Sequence, residues 1–204
     1  MIFLCSPNNP TANDMSMEAI KKIIHEFNGI VVVDEAYIDF SERESLARDI
    51  PNYPNLVVLQ TLSKGFGLAG IRMGVTIAAE DIINYMMKVK APYNVNSLTS
   101  HYGKKAFENL EKVRFNISKI KEERNRLSKA LSIQPFVEKV YPSDANFILF
   151  KIDEAYDIYK KLADRGVVVR YRGTEPHCEN CLRVTVGMPD ENDLFLSTLK
   201  KVTS

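Results

Sequence analysis

The chain has 204 residues, enough for one sizeable domain or two small ones, and 45% of them are apolar, an ordinary share for a globular protein. Its 27 basic and 26 acidic residues leave a net charge of +1, which gives no electrostatic reason to expect nucleic acid or an anionic membrane surface as partner. The apolar runs are too short to span a bilayer, the N-terminus lacks the basic opening of a signal peptide, and three cysteines suggest no disulfide framework, so a cytoplasmic location is expected.

Ile2–Cys5 reads as a buried strand. Ser16 is a candidate N-cap for a helix whose apolar positions are Ala19, Ile20, Ile23, Ile24 and Phe27, with Asn28-Gly29 as its stop. Residues 30–33, 56–60 and 73–78 read as further strands. Continuous Val/Ile/Leu runs of this kind suit strands buried on both faces of a parallel sheet covered by helices. From Ser97 to about Leu131 the chain is charged and without proline, and the pattern predicts a helix followed by a long connecting helix over 116–131. Residues 137–141 and 146–152 then read as strands about a Pro142-Ser143-Asp144 turn, and Ala155–Asp164 as a helix stopped by Gly166. Residues 167–170 and 182–186 read as strands and 191–202 as a closing helix. The change of character divides the chain into an α/β domain over 1–114 and a small α+β domain over 115–204.

Cys178-Glu179-Asn180-Cys181, preceded by His177, invites a metal reading. A zinc site usually takes four ligands, and the sequence has no second CxxC or HxxxH. A redox CxxC opens a helix, whereas this one runs into Leu182-Arg183-Val184-Thr185-Val186. No metal is expected.

In an open α/β sheet, ligands gather at the carboxyl ends of the strands. The first strand runs into Ser6-Pro7-Asn8-Asn9-Pro10-Thr11, the second ends in Asp34-Glu35-Ala36-Tyr37, and the third ends in Thr61-Leu62-Ser63-Lys64-Gly65-Phe66-Gly67-Leu68-Ala69-Gly70-Ile71-Arg72. Farther on, Arg170 ends one strand and Arg183 lies in the next. Singly, each has an ordinary explanation: Asp34 as a helix cap, Lys64 as a solvated charge, Arg170 and Arg183 as surface ion pairs. In conjunction they suit pyridoxal phosphate. That cofactor needs a lysine for its aldehyde, a carboxylate to favour protonation of its ring nitrogen, and donors at its phenolic and phosphate oxygens.

These three segments resemble, in this order, the signatures of type I pyridoxal-phosphate aminotransferases. Val168-Val169-Arg170, Cys181-Leu182-Arg183-Val184-Thr185-Val186-Gly187 and Pro142-Ser143-Asp144-Ala145-Asn146-Phe147 resemble the histidinol-phosphate branch. The resemblance implies a partial large domain (a mainly parallel sheet with helices) followed by the small domain, that is, a C-terminal portion lacking an N-terminal half. It makes Lys64 the Schiff-base lysine and pairs Asp34 with the pyridinium nitrogen. Asn9 and Tyr37 become donors to the phenolic oxygen, and Thr61, Ser63 and Arg72 ligands of the cofactor phosphate. Arg183 would hold the substrate α-carboxylate, Arg170 its distal phosphate, and Asn9 would also meet substrate. Lys64, in its neutral form, would carry the α-proton. The implied reaction moves an amino group between histidinol phosphate with 2-oxoglutarate and imidazole-acetol phosphate with glutamate, in histidine biosynthesis. The implied assembly is a homodimer or association with the missing half. The alternatives are a non-catalytic module that associates with other chains, a phosphothreonine-type decarboxylase and an aromatic aminotransferase. Two positions depart from the pattern: Ala12 stands where glycine is usual, and Gly65 where alanine is usual.

Overall fold

The computed structural model describes residues 1–203, which fall into two units. The first comprises Met1–Asn8 and Asp14–Ile117, and the second Asn9–Asn13 and residues 118–203.

The first unit holds β1 (Ile2–Cys5), α1 (Met17–Glu26), β2 (Val31–Asp34), β3 (Leu56–Thr61), β4 (Gly74–Ala78), α2 (Glu80–Val89), α3 (Ser97–Glu108) and the start of α4 (Leu110–Ser132). Its sheet runs β1-β2-β3-β4, with the first two pairings parallel and the last antiparallel. Helix α1 begins where the Ser16 side chain accepts a hydrogen bond from the Ala19 amide. Its Ile20 and Ile24, one turn apart, are fully buried against Val31, Val33, Leu46, Leu56 and Val58. Burial on both faces holds for β2 and the first half of β3 only. In β1 the residues alternate, and Phe3 is 65% exposed, because the second face of this strand is not covered among the described residues. Helix α2 buries none of its residues.

The second unit takes up the rest of α4, then β5 (Val137–Val140), β6 (Phe147–Ile152), α5 (Ala155–Asp164), β7 (Arg170–Tyr171), β8 (Cys181–Thr185) and α6 (Pro189–Thr203). Its antiparallel sheet has the order β5-β6-β8-β7. Alternate residues Ile148, Phe150 and Ile152 of β6, with Leu182 and Val184 of β8, turn one face onto Leu127 and Leu131 of α4, Leu162 of α5 and Leu199 of α6. The strand expected at 167–170 is shorter and later. The Val167 amide donates to the Leu162 carbonyl in the turn that ends α5, Gly166 adopts φ +79°, and Val169 sinks into the core. Residues 9–13 lie in this unit, where the Asp144 amide donates to the Ala12 carbonyl (2.8 Å).

The expected partial large domain with a small domain appended is therefore corrected. Residues 1–8 and 14–117 close around a buried core of their own, and residues 9–13 are held by the other unit. Among the described residues no helix is long and apolar enough to cross a membrane.

Candidate active site

Parallel pairing sets Cys5 opposite Asp34 and Asp34 opposite Leu59, while Thr61 pairs with Gly74 at the start of β4. The carboxyl ends of β1, β2 and β3 thus share one edge of the first sheet, and the singled-out residues of this unit lie along it. Asp34 keeps one carboxylate oxygen on the Ala36 amide (2.9 Å). Three residues beyond Asp34, the Tyr37 ring lies beneath the Lys64 ammonium, 5.1 Å from centroid to nitrogen. Lys64 sits in a tight turn in which the Gly67 amide donates to its carbonyl (3.0 Å) and the Leu68 amide to that of Leu62 (2.9 Å). Gly67 supplies the positive φ, +69°, that this turn requires. The Thr61 and Ser63 hydroxyls are 2.8 Å apart, and the Ser63 amide donates back to Thr61 Oγ1. Arg72 is exposed, with φ +55° and Nη1 on the Ala69 carbonyl (3.0 Å).

Behind this edge lies a cavity of about 250 Å³ lined by Glu35, Asp39, Gln60, Thr61, Phe66 and Phe107, among others. Burial, with the Glu35 charge as a second cause, pushes the Asp39 carboxyl above the usual carboxylate range. A side-chain carbon on Gly65 would run into Asp39 Cβ and Cγ, so glycine after the lysine is the residue that lets Asp39 pack there. Sequence reading noted the glycine but not its partner. It also missed Arg43, whose Nε donates to Asp14 (2.8 Å), Nη1 to Glu35 (2.8 Å) and Nη2 to the Ser6 carbonyl (2.6 Å). The fully buried Glu35 side chain also accepts from Gln60 (3.1 Å), Ser45 and the Leu46 amide (3.0 Å). This network ties the turns after β1 and β2 to the end of β3.

In the second unit, Arg183 Nη1 donates to Asn9 Oδ1, and the Arg183 guanidinium stacks 4.7 Å from the centre of the Phe147 ring. Arg170 lies directly opposite Arg183 in the β7–β8 ladder, so both side chains leave the same face, while the opposed pair Tyr171 and Leu182 points into the core. Arg172, which sequence reading passed over, follows on that face, and its Nη2 lies 3.4 Å from the same Asn9 oxygen. The signal was present in the two-residue spacing from Arg170.

Cys178 and Cys181 are buried free thiols beside Leu149 and Tyr141. Burial raises both thiols above their ordinary pKa, which disfavours the reactive thiolate. Among the described residues, no three His, Cys, Asp or Glu side chains are grouped to hold a metal ion.

The family model for aminotransferase class I and II matches residues 1–197. The histidinol-phosphate aminotransferase of Flavobacterium johnsoniae is 52% identical over 200 residues, which cover 98% of this chain and 57% of that protein. A solved histidinol-phosphate aminotransferase from Clostridium acetobutylicum superposes with TM-score 0.90 at 24% identity, over 98% of this chain and 63% of that one. The L-threonine-O-3-phosphate decarboxylase from Porphyromonas gingivalis superposes with TM-score 0.87 at 25% identity, over 98% and 63%. This chain thus spans less than two thirds of the length of each. The expectation of a C-terminal portion with a missing N-terminal half as partner is corrected to a chain that matches along nearly all of its own residues and spans part of each relative. The chain belongs to the aminotransferase class I and II family.

Proposed function

We propose that this chain serves pyridoxal-phosphate-dependent transamination of histidinol phosphate with 2-oxoglutarate, in the cytoplasm. One observation carries the reading: a lysine, its ammonium over the Tyr37 ring, in the glycine-bearing turn just after β3, the strand that pairs in parallel with β2, which ends in Asp34. The 52% identity to a relative named for that activity supports the substrate.

The residues fit the cofactor. The contact of the Lys64 amine is an aromatic face and not a carboxylate, so the nitrogen is available to an aldehyde. Asp34 is oriented by the Ala36 amide, which leaves its other oxygen to hold a proton on a ring nitrogen. Tyr37 and Asn9 supply donors for a phenolic oxygen. The adjacent hydroxyls of Thr61 and Ser63, with the exposed Arg72, suit a phosphate. When bound, pyridoxal phosphate supplies the electron sink for breaking a bond at the substrate α-carbon. Lys64 then holds and delivers the proton at that carbon, Arg183 holds a carboxylate, and Arg170 a distal phosphate.

The test is a pyridoxal-phosphate titration of the purified chain, followed by absorbance, with Lys64→Ala as control. A saturable signal that needs Lys64, followed by turnover of histidinol phosphate and 2-oxoglutarate, is the expected outcome. Equal signals from both proteins would overturn the reading. Likeness to the decarboxylase favours a second reading, carbon dioxide release from a phosphorylated amino acid, and assaying that gas alongside glutamate separates the two.

A further inference from the structure

Three arginines leave the open face of the β7–β8 edge, and only two of them have a role in the proposed reaction. Arg170 and Arg183 are cross-strand partners. Arg172 extends the ladder, its amide donating to the Cys181 carbonyl (2.9 Å), and its side chain comes round to the oxygen that Arg183 already holds. An amide oxygen has two lone pairs, and here both face guanidinium groups of like charge. A neutral oxygen is a weak counterpart for two cations, whereas an oxyanion is a strong one.

Arg172 is also only half satisfied. Its Nη1 donates to Glu175 Oε1 (2.8 Å), but its Nε is buried without a hydrogen-bond partner, as is Glu175 Oε2. A bidentate arginine–carboxylate pair would occupy both edges of each group. This one engages a single edge, so Glu175 tethers the guanidinium while its Nε–H stays unspent. Buried donors are nearly always paired, and this pair departs from that rule. The turn that carries the pair is fixed by backbone hydrogen bonds from the Glu175 amide to the Arg172 carbonyl (3.0 Å) and from the Cys178 amide to the Glu175 carbonyl (3.1 Å).

We infer that Arg172, tethered by Glu175, is a further substrate-binding residue, which together with Arg183 takes an oxyanion, phosphate or carboxylate, in place of the Asn9 amide oxygen. This deepens the proposed function by adding a second cation to the anionic end of the substrate. A single surface ion pair between Arg172 and Glu175 would leave ligand affinity untouched, and that difference is measurable.

The experiment titrates the full chain with inorganic phosphate and, in a second arm, with acetate, following the arginine Nε–Hε resonances by NMR. A saturable shift at Arg172 is expected in one arm at least, and the responding arm identifies the oxyanion. Arg172→Gln should weaken that binding about tenfold, as loss of a charge-assisted hydrogen bond does. Arg172→Lys, which keeps the charge and the fold but loses the planar fork, should weaken it less. Unchanged affinity in both variants, or no saturable binding by the wild type in either arm, would overturn the inference. Absence of transamination in the wild type would sink the aminotransferase reading alone, since phosphate and acetate binding require no turnover.

Discussion

Asp39 and Gly65 show how one side chain can depend on the absence of another. The carboxyl of Asp39 lies where a methyl group on residue 65 would have to be, beside the lysine of the candidate site. The same packing takes Asp39 out of water near Glu35, and both effects raise its pKa. A carboxyl whose folded pKa exceeds its unfolded value, near 3.9, keeps its proton in the folded state after the unfolded chain has lost it. The folded protein therefore loses stability as pH climbs from about 4 through the raised value, and no more beyond it. Asp39→Asn removes the charge and keeps the shape. Urea unfolding should find the variant more stable than wild type at neutral pH, with the gap closing towards pH 3. A gap independent of pH, or a wild type more stable at neutrality, would exclude a raised Asp39. Ala12 shows the opposite balance. Its φ of +68° costs an alanine about 1–2 kcal/mol relative to glycine, but its fully buried methyl returns about 0.8 kcal/mol, so the departure from glycine is tolerated. Asp34 and Arg170 stood out in the sequence because each directly follows a run of valines, Lys64 because it lies in a glycine-bearing turn after a strand, and Arg183 because it lies within one. Asp39 did not, because its neighbour Gly65 lies across the fold.

Among the elements, those with an apolar stripe of regular period were legible. Residues 155–164 were read with the bounds that the structure gives, and β1 likewise, since Gly, Pro and Asp residues bracket them. Helix α2 was not singled out, and its Tyr85, Met87 and Val89 are apolar but exposed. The 3₁₀ turns at Ile38–Phe40 and Leu46–Asn52 carry no periodic signal. What holds them is Arg43, whose partners Asp14 and Ser6 are distant in sequence, so no local pattern could announce it. Arg43 is the charge that compensates the fully buried Glu35. Removing one member of a buried pair strands the other, at a cost of about 3–5 kcal/mol. Glu35 retains donors from Gln60, Ser45 and the Leu46 amide, which places Arg43→Met near the lower end. Denaturant unfolding should show a loss of about 3 kcal/mol, and Glu35→Gln in the same background should recover part of it. Additive losses would mean that the two residues do not act as a pair.

At the scale of the whole molecule, each unit owns its core, and the chain crosses from one unit to the other at residues 8–9, 13–14 and 117–118. The first two crossings were illegible in the sequence because backbone pairing of Ala12 with Asp144, far along the chain, decides them. The third falls within α4, a helix of 23 residues that buries only Arg124, Leu127 and Leu131. These positions, at i, i+3 and i+7, form a narrow stripe, so the hold of this helix on the second unit rests on few side chains. Arg124 donates to the Ala145 carbonyl (3.0 Å), and the apolar contact rests on the two leucines with the partly buried Ile120. Leu127 is fully buried against the face formed by Ile148, Phe150 and Leu182, and truncating such a leucine to alanine costs about 2–5 kcal/mol, depending on how far the cavity collapses. Leu127→Ala should therefore speed amide hydrogen exchange in β6, in β8 and in α4 after Ile117, where protection depends on the core that has lost its filling. Ile133→Ala, at a position 80% exposed just beyond the same helix, removes a similar side chain without a cavity and should leave that exchange unchanged. If both variants behave alike, the charged helix is held by something other than its buried stripe.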